Sequence, residues 1–172
     1  MKADIDPKKV LEMLVERTSA FLQEEVSVNV ANVEYSTEDV NFIKLRHITS
    51  IISVEEYLKM TIAFTYDLGL ITNMFESYTA GLSIGENERE RYLEETAGDI
   101  INIVTGNILS RFSHAKTIHL STPVIITEAK TVVRYKDASF LSARINTLHG
   151  DFSIFLILPS SLYTAQLNRN TE

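Results

Sequence analysis

Residues 87–112 repeat their apolar side chains with the period of an α-helix. On a helix these side chains form one continuous stripe, made of Leu93, Ala97, Ile100, Val104 and Ile108. A stripe of this length has to be buried against other parts of the protein. The sequence therefore predicts one long helix that packs on the rest of the fold through this face.

The opposite face of the same helix is polar. It carries Glu95, Asp99 and Asn102 in a row and ends at Gly106. A glycine inside a helix costs about 1 kcal/mol relative to alanine, so we expect a partner to approach the helix closely at Gly106. The alternatives are a close crossing with a neighbouring strand at Gly106, and ordinary solvation of the two acids and of Asn102.

The chain before the long helix predicts two helices and three strands. Asp6 and Pro7 are typical of a helix start, and this helix should run to about Glu24. The remaining predictions are a strand at 26–30, a loop at 36–39, strands at 47–54 and 58–66 joined at 55–56, and a helix from Asp67 to Tyr78.

After the long helix, alternating and apolar runs predict four strands, at 117–127, 131–136, 140–147 and 152–158. Turns are expected at 136–137 and 149–151, a short helix after 159–161, and a frayed end at 168–172. The order of elements predicts one α+β domain over residues 1–172. Its mainly antiparallel sheet would pack with two to three helices, including the long one.

The composition excludes several classes of function. The chain has 16 Lys and Arg against 23 Asp and Glu, a net charge of −7, which argues against nucleic acid as the main partner. It has no cysteine, so a thiolate site is impossible. Its histidines, at positions 47, 114, 119 and 149, have no metal-ligand spacing, and we expect no metal site. No apolar run resembles a signal peptide or a membrane span, so we expect a cytoplasmic protein without a membrane partner.

The segment from Asp99 to Asn107, Asp-Ile-Ile-Asn-Ile-Val-Thr-Gly-Asn, resembles the signature helix of the CheC/CheX/FliY phosphatases of bacterial chemotaxis. That family carries an acid, two residues and an Asn on a helix, followed by a strand with a proline, and Pro123 stands at the corresponding place. CheC-type members have two copies of the motif. Here Leu70 replaces the acid three residues before Asn73, so the single copy resembles CheX.

The resemblance implies a phosphatase of phospho-aspartyl response regulators such as CheY, a hydrolase of two-component signalling. Asn102 would orient the attacking water, and Asp99 would pair with the regulator's lysine, where the family has Glu. Because Asp is shorter by about 1.5 Å, Glu95 is a second candidate for this contact. Pro123 would shape the surroundings of the motif, or else be an edge-strand proline that blocks further pairing. The chain would bring no cofactor, since the Mg²⁺ belongs to the regulator.

The resemblance also implies a homodimer, because the family tends to join sheets edge to edge and long apolar strands need covered edges. Two other functions are left open. One is a non-catalytic CheX-like module that binds receiver domains or scaffolds a signalling complex, which Asp99 in place of Glu favours. The other is an unrelated α+β ligand-binding or dimerisation domain in which the motif occurs by chance.

Overall fold

The structure, a computed structural model, describes residues 6–36, 42–55, 59–112, 118–127, 131–133 and 138–159. Its helices are α1 (Pro7–Glu25), α2 (Leu68–Tyr78) and α3 (Glu86–Leu109), and α3 continues into a 3-10 turn at Ser110–Phe112. Its strands are β1 (Val30–Ser36), β2 (Phe42–Lys44), β3 (Ile48–Glu55), β4 (Met60–Tyr66), β5 (His119–Leu120), β6 (Val124–Ile126), β7 (Thr131–Val133), β8 (Ala138–Thr147) and β9 (Gly150–Pro159).

The main sheet contains seven antiparallel strands in the order β1–β8–β9–β4–β3–β5, with β6 also paired to β3. The three helices share one face of this sheet. Helix α1 packs on β8 and β9, α3 packs on β3, β4 and β6, and α2 packs on α3 and β9. The predicted α+β fold with a mainly antiparallel sheet and two to three helices is confirmed.

The core lies between the helices and the sheet face below them. The whole apolar stripe predicted for the long helix is buried there, with Ala97, Ile100 and Val104 fully inaccessible. In the sheet, the Phe152 ring meets the Tyr66 and Phe64 rings edge-on at centroid distances of 4.7 and 5.0 Å. Edge-on contacts of this kind add to the free energy gained by burial, so they hold β4 and β9 firmly under the helices.

The other face of the sheet is partly covered by a two-stranded ribbon of β2 and β7. A second, smaller core fills the space between the ribbon and the main sheet, with Ile43, Leu45 and Phe140 buried at its centre. The sequence did not predict β2, because three residues are too few to show a period.

The prediction of a strand at residues 26–30 is wrong. Val26 and Val28 are buried because they close the end of α1, where the Val28 N–H donates to the Leu22 carbonyl at 2.7 Å and Ser27 has a φ of +56°. The strand itself starts at Val30 and extends to Ser36, into the region predicted as a loop. The alternation therefore reflected a helix end and not a sheet face.

The single strand predicted at 117–127 is two short strands, β5 and β6, on either side of Pro123. A proline has no N–H to donate to a ladder, so the pairing with β3 stops before it and resumes after it. Between the two strands, the Ser121 N–H donates to the Ser53 carbonyl at 2.9 Å, which keeps this edge attached to β3.

The long apolar strands β3, β4, β8 and β9 lie inside the sheet, not at its edges. The edges are β1 on one side and the short β5 and β6 on the other. The expectation that long apolar strands form exposed edges is therefore wrong, because each of these strands has neighbours on both sides. It gives no reason for a dimer.

Several predictions fall outside the described residues. These are the loop at 37–39, the turn at 136–137 and the last part of the strand at 131–136, the short helix after Pro159, the chain end at 168–172, and His114.

Arg46 connects the ribbon to the main sheet. Its guanidinium donates to the Asp67 carboxylate at 2.6 Å and to the Asp151 carboxylate at 2.9 Å, and Asp67 in turn accepts from the Asp151 N–H at 2.8 Å. Asp67 stands at the N-cap of α2 as predicted, but its side chain makes no capping hydrogen bond, because it binds these partners instead.

The same network explains the turn between β8 and β9. This turn consists of Leu148 and His149, not of residues 149–151, and β9 begins at Gly150 with a φ of +123°. A Cβ at Gly150 would lie 2.7 Å from the Cβ of Asp67. Only glycine therefore allows Asp67 and Asp151 to come together around Arg46.

We predict that Arg46→Met lowers the free energy of unfolding by about 1–3 kcal/mol, because it leaves two partly buried carboxylates without their cation. Arg144→Met is the matched control. Arg144 is half exposed, and its guanidinium is as far as 3.9 Å from the Glu34 carboxylate. The loss of this weak pair should cost less than about 0.5 kcal/mol. Urea unfolding of both variants measures the difference, and equal losses would contradict the structural role of Arg46.

Candidate functional site

Helix α3 presents a polar stripe to solvent along the face opposite its buried one. Glu95, Asp99 and Asn102 are exposed, and Gly106 is half-buried. The helix has no side-chain cap at Gly85, so its stability comes mainly from the buried stripe, helped by acidic residues in its first turn. The stripe is thus a rigid surface, since the side chains behind it are packed in the core.

The sheet holds α3 at the residues just before Asp99. The Tyr66 hydroxyl, at the end of β4, donates to the Ala97 carbonyl at 3.4 Å and lies 3.4 Å from the Ser50 hydroxyl. Burial raises the pKa of Tyr66 far above its usual value, so the phenol stays protonated and can donate at any physiological pH. This side chain joins the sheet to the helix directly below the polar stripe.

One flank of α3 lies against the segment that contains Pro123. A Cβ at Gly98 would lie 3.6 Å from Cδ1 of Ile125 and 4.0 Å from Cβ of Pro123, which is ordinary van der Waals contact. Pro123 therefore stands next to the residue that precedes Asp99. Sequence reasoning singled out Gly106 and missed Gly98, although the triplet Ala97-Gly98-Asp99 contained the signal of a small residue at the border of the polar stripe.

At Gly106 the geometry differs. A Cβ there would meet no atom within 4 Å among the described residues, so the alternative of a close crossing with a strand is not what the structure has. No described residue would obstruct another molecule that approaches α3 at Gly106.

Asn102 and Asp99 are the polar groups best placed for chemistry. Neither side chain has a hydrogen bond or an ion pair with another residue that the structure describes. They are one turn apart on the same face, with a rise of about 4.5 Å between them. An unpaired amide offers one acceptor and two donor positions, and an unpaired carboxylate offers an ion-pair partner, so together they can bind a water molecule and a cation on another molecule.

Glu95 is already engaged. Its carboxylate lies 3.3 Å from Arg91, one turn earlier on α3, and both side chains are more than half exposed. An exposed pair at this spacing contributes about 0.3–0.5 kcal/mol, so a partner can displace it at little cost. Arg91 also stacks over the Tyr92 ring at 5.1 Å, which keeps the guanidinium near Glu95.

Tyr78, the last residue of α2, is partly exposed and packs its ring on Phe21 of α1, with the ring centroids 6.2 Å apart. Burial raises the pKa of Tyr78, and the negative charges of Glu25 and Asp99 raise it further, while Arg17 lowers it. Sequence reasoning did not single out Tyr78, because its surroundings depend on how α2 packs on the other helices.

The described residues contain no group of three His, Asp or Glu side chains that could hold a metal ion. His47, His119 and His149 are exposed and separate. None of the described helices is long and apolar enough to cross a membrane.

Comparison with known proteins identifies the fold. No protein-family model and no curated protein sequence matches the chain. Among solved structures it is similar to the chemotaxis protein CheX of Desulfovibrio desulfuricans, with a TM-score of 0.69 and 14% identity over 86% of this chain and 97% of that one. It is also similar to CheX of Vibrio vulnificus, with a TM-score of 0.68 and 17% identity over 86% and 97% of the two chains.

A third similar structure contains a partner. It is the complex of CheX with CheY, BeF₃ and Mg²⁺ from Borrelia burgdorferi, with a TM-score of 0.66 and 13% identity over 86% of this chain and 95% of that one. The chain therefore has the CheX/CheC-like fold that the resemblance implied. Because folds host many functions, what the chain does has to be argued from the stripe itself.

Proposed function

We propose that this chain, which has the CheX/CheC-like fold, is a phosphatase of phospho-aspartyl response regulators of the CheY type. The observation that carries the proposal is the pair Asp99 and Asn102, which are exposed on the outer face of α3 and have no side-chain hydrogen bond or ion pair with any described residue. The likeness to a CheX that was solved with CheY supports the choice of partner. A chemotaxis or other two-component pathway would supply such a regulator.

The chemistry asks little of the phosphatase beyond positioning. The oxygen of a water molecule attacks phosphorus in line with the acyl phosphate bond, that bond breaks, and the regulator's aspartate leaves as a carboxylate. The attacking oxygen keeps one of its protons and the other passes to a phosphoryl oxygen, so both protons of the water leave with the released inorganic phosphate. Asn102 accepts a hydrogen bond from the water through its carbonyl and can donate from its amide to the phosphoryl group, without adding a repelling charge.

Asp99 has the role of docking acid and pairs with the regulator's lysine. Glu95 can assist once it leaves Arg91, because the Arg91–Glu95 pair is weak. Gly106 and Pro123 would lie at the border of the surface that the regulator covers. Gly106 has no side chain to obstruct the approach, and Pro123 lies beside Gly98 on the flank of the helix. In the proposed reaction the regulator supplies the Mg²⁺, and this chain supplies no cofactor.

The second candidate function is a non-catalytic module that binds receiver domains or scaffolds a signalling complex. The specific observation in its favour is the carboxylate of Asp99, which is one carbon shorter than the Glu of the family it resembles. A displacement of about 1 Å can cost on the order of 100-fold in rate, so binding could persist where turnover is lost. Phosphate release from a Mg²⁺-loaded phospho-receiver, at catalytic amounts of the chain, separates the two functions.

We predict that Asn102→Ala abolishes stimulated dephosphorylation and leaves the fold intact, because the side chain is exposed and unpaired. Decay of a phosphorylated CheY-type receiver measures the activity, and urea unfolding measures the stability. Asn87→Ala is the matched control, since Asn87 is also an exposed Asn of α3 but lies in its first turn, far from Asn102. Near-normal activity of Asn102→Ala would disprove the mechanism.

We predict that Asp99→Ala weakens receiver binding by about tenfold or more, because it removes one partner of an ion pair that is desolvated at the interface. The loss should be larger at low ionic strength, where long-range attraction is less screened. Asp99→Glu should keep or raise activity. Phospho-receiver decay and receiver affinity are measured for the wild type, Asp99→Ala and Asp99→Glu at low and physiological salt. Identical values for all three proteins would show that Asp99 has no role at the interface.

We also propose that the chain works in the cytoplasm as a homodimer. Within the part of the chain that the structure describes, β1 pairs with β8 alone and carries the exposed Tyr35, which supports an edge-to-edge dimer. Light scattering at micromolar concentration should therefore give twice the mass of the chain. A monomer mass over that whole range would exclude the dimer without affecting the proposed activity.

A further inference from the structure

A polar cleft of about 630 Å³ lies on the face of the main sheet opposite the helices. Its floor belongs to β8 and β9, and its walls are β1 on one side and residues 44–46, at the end of β2, on the other. Small-molecule sites in proteins have volumes of about 300–1,000 Å³. The cleft is therefore large enough for a ligand, and its side chains decide which ligand it can bind.

The alternation of the strands places the floor side chains in the cleft. Along β8, Leu141 and Ala143 belong to the core under the helices. The residues between and after them, Ser142 and Arg144, therefore point to the opposite face of the sheet. In the β8–β9 pair, Arg144 lies directly opposite Ser153. Arg144 and Ser153 are thus cross-strand neighbours on the floor, with Cβ atoms about 5 Å apart.

Three cations line the cleft, and they differ in how firmly they are paired. Arg46 is held by two carboxylates at 2.6 and 2.9 Å, which neutralise its charge. Arg144 has only Glu34, at 3.9 Å, and Glu34 is itself bound by the Asn146 amide at 2.8 Å. The Lys44 side chain has no ion pair or hydrogen bond with any residue that the structure describes. Arg144 and Lys44 therefore leave positive charge in the cleft, on a chain whose net charge is −7.

The floor also offers hydroxyl groups. Ser153 is only 6% exposed, and its hydroxyl has no hydrogen bond with any other described residue. A nearly buried hydroxyl without a partner is unfavourable, so a molecule in the cleft that bonds to it is favoured. Ser36 and Ser142, which face each other in the β1–β8 pair, line the cleft with two further hydroxyls. The guanidinium beside them has the planar fork that suits a phosphate or carboxylate group.

We propose that this cleft binds a small hydrophilic molecule that carries a phosphate or carboxylate group. Arg144 binds the anionic group, Lys44 adds positive charge at the rim, and Ser153 and the neighbouring serines bind the polar remainder of the ligand. Glu34 weakens the site, because its carboxylate competes with the ligand for Arg144. The sheet separates this site from the polar stripe of α3, and the proposal does not depend on phosphatase activity.

Isothermal titration calorimetry of the full chain tests the proposal with glucose-6-phosphate, citrate and inorganic phosphate at constant ionic strength. Glucose-6-phosphate or citrate should bind with a millimolar or lower Kd, and the tighter of the two tells whether the site prefers phosphate or carboxylate. Uncharged glucose should not bind, because Arg144 would gain no anionic partner. The backbone amide chemical shifts of Ser142, Arg144 and Ser153 should change most when the tighter probe is added.

Variants of the floor and wall should change the Kd in opposite directions. Arg144→Gln should raise it about tenfold and Ser153→Ala about threefold, because each removes a hydrogen bond to the ligand. Glu34→Gln should lower it about threefold, since it removes the competing charge and keeps an acceptor for the Asn146 amide. A gain in affinity cannot come from a damaged fold.

Arg89→Gln is the matched control for Arg144→Gln. The Arg89 side chain is 46% exposed, against 50% for Arg144, and it also pairs with a glutamate, but it belongs to α3 on the other side of the sheet. This variant should leave the Kd unchanged. Asn102→Ala should also bind the probes like the wild type.

Three results would overturn the proposal. One is that neither glucose-6-phosphate nor citrate binds, and another is that Arg144→Gln binds them as Arg89→Gln does. The third is that inorganic phosphate binds as tightly as the larger probes, which would mean an adventitious ion only, because the serines would then contribute nothing. None of these results bears on the phosphatase, and a chain without phosphatase activity can still bind a ligand in the cleft.

Discussion

The close approach of α3 to the sheet is the constraint on which the rest of the structure depends. The helix packs on the sheet through its buried stripe, and two residues just before Asp99 illustrate this packing: the Ala97 carbonyl accepts from Tyr66, and a Cβ at Gly98 would be in ordinary van der Waals contact with Ile125 and Pro123. A large side chain in place of Ala97 would push the helix outward, because the core behind it is already filled. Since Asp99 comes next in sequence, the packing that seats the helix also sets the direction of the first polar side chain of the stripe.

The features that could be predicted from the sequence are those with a long period. The apolar stripe of α3 extends over several turns, so both its burial and the exposure of Asp99 and Asn102 follow from spacing alone. Short or non-periodic features could not be predicted in this way. The strand β2 has only three residues, and Val26 and Val28 imitate a strand because a helix end also buries alternate residues.

The surroundings of the site could be predicted only in part, for a related reason. Pro123 was placed near the motif by resemblance, but its contact with Gly98 joins residues far apart in sequence, and no local pattern reports such a contact. Tyr78 was assigned only as the end of a helix. Its ring packs on Phe21 of α1, a contact that depends on how the two helices pack and not on either segment alone.

The short acid at position 99 and the glycine at position 106 belong to one geometric argument. A carboxylate that is about 1.5 Å shorter reaches a fixed lysine only if the two surfaces come closer by a similar distance. Gly106 lies on the same stripe, and the absence of a Cβ there removes an obstacle to such an approach near the end of the helix. The departure of Asp99 from the Glu of the resembled motif is thus compatible with a working site. If this geometry is correct, a Glu at position 99 reaches across the wider separation that a methyl group at Gly106 imposes. Gly106→Ala should therefore reduce receiver binding and phospho-receiver decay less in a protein that carries Asp99→Glu than in the wild type.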